Sequence, residues 1–141
     1  MEEEIFSFSW VVLLGHEMKK GPTEERRSSV DPNYWNWINR CKQGLTLKLA
    51  LVLRDEMDQF VYVDIVNGEV AHTYVGTEIE LKEAKIVLSG TKEAWLEIVE
   101  GRKEPSQMIM TGKIKITNGS LSFFYKRIYY FSELLRCLTK C

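Results

Sequence analysis

Cysteine and histidine are scarce in this 141-residue chain, with three of the first and two of the second. Cys41, Cys137 and Cys141 cannot all pair within one chain, so a disulfide framework is not expected and reduced thiols are the default. His16 and His72 stand at no zinc-binding spacing from a cysteine or a carboxylate. Cys137 and Cys141 are one helical turn apart, but two thiols without further ligands hold a metal weakly, and they read as frayed terminal thiols. Neither a metal nor a cofactor is expected.

Long apolar runs are missing too. Trp10-Val11-Val12-Leu13-Leu14 falls far short of the roughly 20 residues that span a bilayer. Glu2-Glu3-Glu4 stands where a secretory signal carries basic residues, and no small-residue cleavage site follows, so a cytoplasmic location is expected. Leu138 occupies the place where a prenylation signal needs cysteine. No excess of one charge sign exists: 19 Lys and Arg face 20 Asp and Glu, a net charge of -1. No global field therefore draws the chain to nucleic acid or to an anionic membrane, and nucleic acid is not an expected partner. A Gly-rich phosphate loop is also missing, since Gly112-Lys113 lacks the earlier glycine and the following Ser or Thr. Repeats and low-complexity tracts are lacking as well.

What is present is apolar material for a core, 45% of residues, and 28% charged residues to keep the surface solvated. One domain over residues 1–141 is expected, with a helical segment at 1–43 and a sheet with C-terminal helices at 44–141. Ile5, Phe6, Trp10, Leu13 and Leu14 lie near helical spacing, and Gly15 to Pro22 should end that helix. A polar loop through Arg26-Arg27-Ser28-Ser29 follows. Asp31 can N-cap a second helix with Pro32 at its first position, placing Tyr34, Trp35, Ile38 and Cys41 on the apolar side.

From Gly44 the period changes to two. Leu45, Leu47, Leu49, Leu51 and Leu53 alternate with Thr46, Lys48, Ala50, Val52 and Arg54, which predicts a strand with a leucine face. Gln59 to Val66 and Glu69 to Val75 should form an antiparallel hairpin about Asn67-Gly68, two residues that tolerate the positive φ of a type I′ turn. Residues 84–88 and 113–117 predict two more strands. Between them Thr91 can cap a helix carrying Trp95, Ile98 and Val99 and stopped by Gly101, and Pro105 can open a short one through Met108 and Met110. Leu121, Phe124, Ile128, Phe131, Leu135 and Leu138 recur at steps of three and four, opposite Ser122, Lys126, Tyr129, Glu133, Arg136 and Lys140. That predicts one long amphipathic helix, with Asn118-Gly119-Ser120 as its turn and cap rather than a glycosylation acceptor. The fold class is α+β, a single, mainly antiparallel five-stranded sheet covered by helices.

The run from Ala84 to Leu138 includes Ser89-Gly90, the Trp95 helix, Gly101, Pro105, Thr111-Gly112-Lys113, Ile114, Ile116 and the amphipathic helix. It resembles the sterol carrier protein two family. The leucine strand and the Asn67-Gly68 hairpin fall in that family's order, so the resemblance spans residues 44–138. It implies a hydrophobic tunnel between sheet and helices that holds a fatty acid, acyl-CoA, phospholipid or sterol-like ligand, and it brings no catalytic residue.

Other candidate chemistry has plainer explanations. Glu78, Glu80 and Glu83 suit a solvated turn better than an acid and base pair. Asp64 would be a site candidate if buried, and an exposed cross-strand partner for a lysine otherwise. Lys113, Lys115, Lys126 and Arg127 interleave with Tyr125, Tyr129 and Tyr130, as in single-strand binders, but in a near-neutral chain they suit a helix surface with snorkelling side chains. The expected lipid-binding residues are Trp95, Ile98, Met108, Met110, Phe124, Ile128, Phe131 and Leu135, because methionine adapts to ligands of varied shape. A filled core and a tunnel give the same pattern in sequence. The expected function is non-catalytic binding or transfer of a lipid. Its rival is an interaction or dimerisation module using the apolar face of the C-terminal helix. A homodimer and a transient membrane contact are partners these readings leave open.

Overall fold

The computed structural model describes residues 4–55, 57–118 and 121–140. In chain order they form α1 (Phe8–Lys20), α2 (Glu24–Ser29), α3 (Pro32–Lys42), β1 (Leu47–Arg54), β2 (Gln59–Val66) and β3 (Glu69–Gly76). A 3-10 helix (Glu78–Glu83) leads to β4 (Ile86–Thr91), α4 (Lys92–Val99), α5 (Pro105–Met110), β5 (Ile114–Asn118), α6 (Leu121–Tyr125) and α7 (Ile128–Arg136), and a second 3-10 helix (Cys137–Lys140) closes the series.

The strand order is β3-β2-β1-β4-β5, with β1 in the centre. All pairs are antiparallel except β1 with β4, which run parallel because the connection from β3 crosses over to the far side of β1. The leucine face of β1 lies in the main core with Trp10, Leu14, Ile38, Trp95, Phe124 and Phe131. Its other face is buried as well, since Ala50 and Val52 pack with Tyr62, Ala84 and Val87 under Phe60, Tyr74 and Leu81. A central strand covered on both sides needs apolar residues on both, which is why the alternation of β1 is incomplete.

The caps read from sequence are in place. Asp31 accepts from Asn33 N at 2.8 Å, and Thr91 accepts from Ala94 N at 3.2 Å. Asn67 and Gly68 both take positive φ, 55° and 79°. The Asn118-Gly119-Ser120 turn and cap lie outside the fully described residues.

The first helix ends at Lys20 with Gly21 as its C-cap, inside the Gly15 to Pro22 stretch expected to end it, and Gly15 faces β3 so closely that a Cβ there would sit 2.2 Å from Thr73 Oγ1. Two helical expectations are corrected. The loop at residues 26–29 belongs to a helix, α2, capped by the Thr23 hydroxyl, which accepts from Arg26 N at 3.1 Å. The long C-terminal helix is broken between α6 and α7. At the break the Arg127 guanidinium folds back 4.0 Å over the Phe123 ring and donates to Phe123 O at 3.2 Å, filling a carbonyl that a continuous helix would have used. The gap is so short that the apolar phase survives it, and Phe124 stacks on Phe131 at 4.9 Å. Among the described residues no helix is long and apolar enough to cross a membrane.

Candidate functional site

Gly21, at φ 74°, ends α1 and turns the chain into Pro22 and the Thr23 cap of α2. Next, α3 lays Trp35, Ile38, Asn39 and Lys42 beside the β2–β3 turn, and α7 brings Tyr130, Glu133 and Leu134 up against both. These elements do not close completely. They leave a cavity of about 210 Å³, floored by Met18, Ile38, Val70 and Leu134 and edged by Lys19, Lys20, Arg27 and by Lys42 with its partner Glu69 at 3.2 Å. Its walls are held by polar contacts: Trp35 Nε1 donates to Arg27 O at 3.0 Å, and the buried Tyr130 hydroxyl donates to Gly68 O at 3.0 Å. Burial raises the Tyr130 hydroxyl well above its ordinary range, so it stays a donor.

Glu133 is the least expected member. The periodicity puts it on the polar face of its helix, yet it is only 7% exposed. Arg26 donates to its Oε1 from Nη2 at 2.7 Å and from Nε at 3.1 Å, and Tyr34 donates to the same oxygen at 2.9 Å. Desolvation, with the bond to Glu133, pushes the Tyr34 hydroxyl up to about 12. The bond to Glu133 likewise raises Arg26. A buried carboxylate is tolerable only when its lone pairs are filled in this way. Nothing near Glu133 in sequence signals the burial, because Arg26 is 107 residues away.

Cys137, expected as a frayed thiol, is buried in the core, with Sγ 3.7 Å from both Glu17 O and Glu133 O. Desolvation pushes the thiol up to about 11, the opposite of what a nucleophile needs. Cys141 lies outside the described residues. A second cavity of about 220 Å³ adjoins the first, sharing Pro22, Glu133 and Cys137 and adding Thr23, Arg26, Arg136, Thr139 and Lys140.

The eight expected lipid-binding residues fall elsewhere. Trp95, Ile98, Met108, Phe124, Phe131 and Leu135 are buried together in the main core, with Ile128 half-buried against it. Met110 is 72% exposed on the outer side of α5 and does not join them. None of the eight lines either cavity. Met108→Trp should therefore overpack, lowering stability by about 1–3 kcal/mol in a urea titration. An unchanged midpoint with weaker binding of a fluorescent fatty acid would instead reveal a tunnel at Met108.

The remaining candidates resolve simply. Asp64 is half-buried and pairs with Lys48 at 3.3 Å, a cross-strand partner of a lysine. The Lys48 ammonium also donates to Tyr74 Oη, the main cause of its raised pKa. Glu80 closes a capping box with Thr77, whose backbone N–H holds its carboxyl below the usual range. Glu78 and Glu83 are exposed. Of the interleaved tyrosines, Tyr125 and Tyr129 are exposed but Tyr130 is buried, so the basic and aromatic residues do not form one surface. Among the described residues no group of three His, Cys, Asp or Glu could hold a metal.

Residues 43–123 match the family model described as the SCP-2 sterol transfer family. No curated protein matches the chain significantly. Among solved structures, one of sterol carrier protein 2 is similar at 19% identity, over 96% of this chain and 97% of that one, with a TM-score of 0.73. A conserved hypothetical protein from Thermus thermophilus, described as possibly a sterol carrier protein, is similar at 18% identity, over 99% and 90% of the two chains, with a TM-score of 0.71. Palmitated SCP2L2 from Aedes aegypti is similar at 16% identity, over 84% and 93%, with a TM-score of 0.50.

Proposed function

Since this chain belongs to the SCP-2 sterol transfer family, which implies lipid binding or transfer, we propose that it carries a lipid or fatty acyl ligand without transforming it, in the cavity between α1, α3, the β2–β3 turn and α7. The observation that carries this reading is the cavity's make-up, an apolar floor beneath a polar, mainly basic rim of Lys19, Lys20, Arg27 and the Lys42–Glu69 pair, which suits a molecule apolar along its length and polar at one end. The palmitated state of the Aedes aegypti neighbour supports a fatty acyl ligand in this fold. At about 210 Å³ the first cavity is smaller than the roughly 300–1,000 Å³ usual for small-molecule sites, but with its neighbour it exceeds the lower bound. The second cavity lies beside α2, which buries no residue of its own and is anchored by Arg26 and by Arg27 O.

Burying about fifteen methylenes at about 0.8 kcal/mol each gives roughly 12 kcal/mol, and ordering costs of several kcal/mol leave an affinity near micromolar. Such an affinity suits a carrier that must also release. A non-catalytic role is supported by the raised Cys137 thiol and by the plain structural work of Asp64 and Glu80. One lipid-binding domain that includes residues 1–43 is supported by Trp10, Leu14 and Ile38, which share a core with the strands. The dimerisation reading loses its main support, since Phe124, Phe131, Leu135 and Leu138 are buried within the chain itself.

Ile38→Trp tests the site. The indole should enter the cavity, leave the melting temperature nearly unchanged, and weaken binding of a fluorescent fatty acid by about tenfold or more. Binding that persists in this variant would place the ligand elsewhere. Native mass spectrometry of freshly purified protein should show a co-purifying lipid.

A further inference from the structure

We propose that the groove between α3 and the α6–α7 break is a docking surface for an acidic peptide segment of a partner protein. Trp37, Arg40 and Cys41 stand at i, i+3 and i+4 on one face of α3. The break before α7 sets Lys126 and Arg127 opposite them, and Cys41 Sγ lies 4.0 Å from Lys126 O. Between the two walls is a space of about 300 Å³, lined by these residues and Gln43.

The lining holds Arg40, Lys126 and Arg127 and no carboxylate. Among the described residues Arg40 and Lys126 form no ion pair, and Arg127 is turned onto the Phe123 ring and carbonyl rather than onto an acid. Arg26, Lys42, Lys48 and Arg136, in contrast, each face a carboxylate of this chain. The net charge is -1, so the unmatched positive charge here is local. The dipole of α3 accounts for a cation in its last turn, but Lys126 and Arg127 belong to another element. Trp37 and Tyr129, both exposed, pack edge to face at 6.3 Å beside the groove. Tyr34 holds Tyr129 edge-on at 5.2 Å, so this aromatic rim is set before anything binds. Exposed Trp, Tyr and Arg grouped about a recess are the side chains that protein interfaces use as anchors.

Shape and charge count choose the occupant. A membrane surface meets side chains that project, whereas these cations line a recess between helices, and they fall short of the roughly 4–8 that mark an anionic-lipid patch. A nucleic acid strand needs a basic track along its length, and the acidic net charge works against it. A carboxylate carried on a peptide enters the recess, pairs with Arg40 and Lys126, and lays a neighbouring apolar residue on Trp37. None of the groove residues lines the two cavities of the lipid reading, so this surface stands apart from it.

The test is an NMR titration of the whole chain with the peptides Glu-Glu-Phe-Glu-Glu and Gln-Gln-Phe-Gln-Gln. It compares the wild-type protein with Arg40→Gln, Lys126→Gln, their double variant and Lys103→Gln, an exposed cation of the α4–α5 loop. The acidic peptide should shift the Trp37 indole N–H and the amides of residues 40–43 and 126–127, and bind about tenfold tighter than its neutral counterpart. Arg40→Gln and Lys126→Gln should each weaken it about two- to fivefold and the double variant about tenfold, while Lys103→Gln leaves it unchanged. Arg40 and Lys126 are exposed, so these variants should keep the wild-type melting temperature. Equal binding of the two peptides, or shifts that lie elsewhere, would overturn the proposal. So would a failure of the acidic peptide to bind while vesicles of phosphatidylcholine and phosphatidylserine, or oligothymidylate, bind the wild-type chain and lose binding in the double variant.

Discussion

Trp95→Ala is expected to lower the unfolding free energy by about 3–5 kcal/mol, the range for deleting a large aromatic from a filled core. Trp95 is fully buried, its ring lies 5.5 Å from that of Phe6, and its Nε1 donates to Val52 O at 2.9 Å on the central strand. Truncation therefore removes packing and also leaves a buried carbonyl without its donor. Trp95→Phe separates these effects, keeping much of the ring volume and losing only the hydrogen bond, for about 1–2 kcal/mol. Chemical denaturation followed by circular dichroism measures both variants. A loss below about 1 kcal/mol for Trp95→Ala would mean that the ring borders empty space, and the tunnel expected between sheet and helices would regain its place there.

Gly68→Ala is expected to cost roughly 2–4 kcal/mol, from two separate causes. At φ 79° the residue sits where a Cβ is disfavoured. The added carbon would also lie 2.3 Å from Lys42 Cβ and 2.7 Å from Lys42 Cα. That second atom is backbone and cannot swing away, so the end of α3 has to move off the hairpin. Gly101 provides the control, because it has φ 74° but nothing within 4 Å of a new Cβ. Gly101→Ala should show the conformational cost alone, about 1 kcal/mol. Equal losses at the two positions would show that α3 does not press on the turn as described.

That close approach is part of what shapes the first cavity. Gly68 and Val70 form one wall of the first cavity, and Lys42 forms part of its rim. Bringing α3 nearer would close the space, and separating the two would open it to water. The turn that local sequence demands for pairing β2 with β3 thus also sets one dimension of the cavity.

Where a signal is local, the sequence alone determined the outcome. The Asn67-Gly68 turn, the Asp31 and Thr91 caps and the period of two in the strands each depend on a few adjacent residues, and all are present as read. Tertiary structure alone decided what covers each face. Periodicity puts Glu133 and Phe131 on opposite sides of one helix but cannot show that Arg26 and Tyr34 fold over the polar side and bury it. Nor can it show that Leu121, in phase with the core residues, lies beyond the core's edge and is 57% exposed. The break before α7 escapes notice because a gap this short preserves the apolar phase. That Gly15 is a packing contact inside α1, where β3 leaves no room for a side chain, is likewise a matter of tertiary structure. The cavity was hidden for the same reason. A packed core and an incompletely closed junction use the same residue types, and only the distances between α1, α3, the β2–β3 turn and α7 separate them.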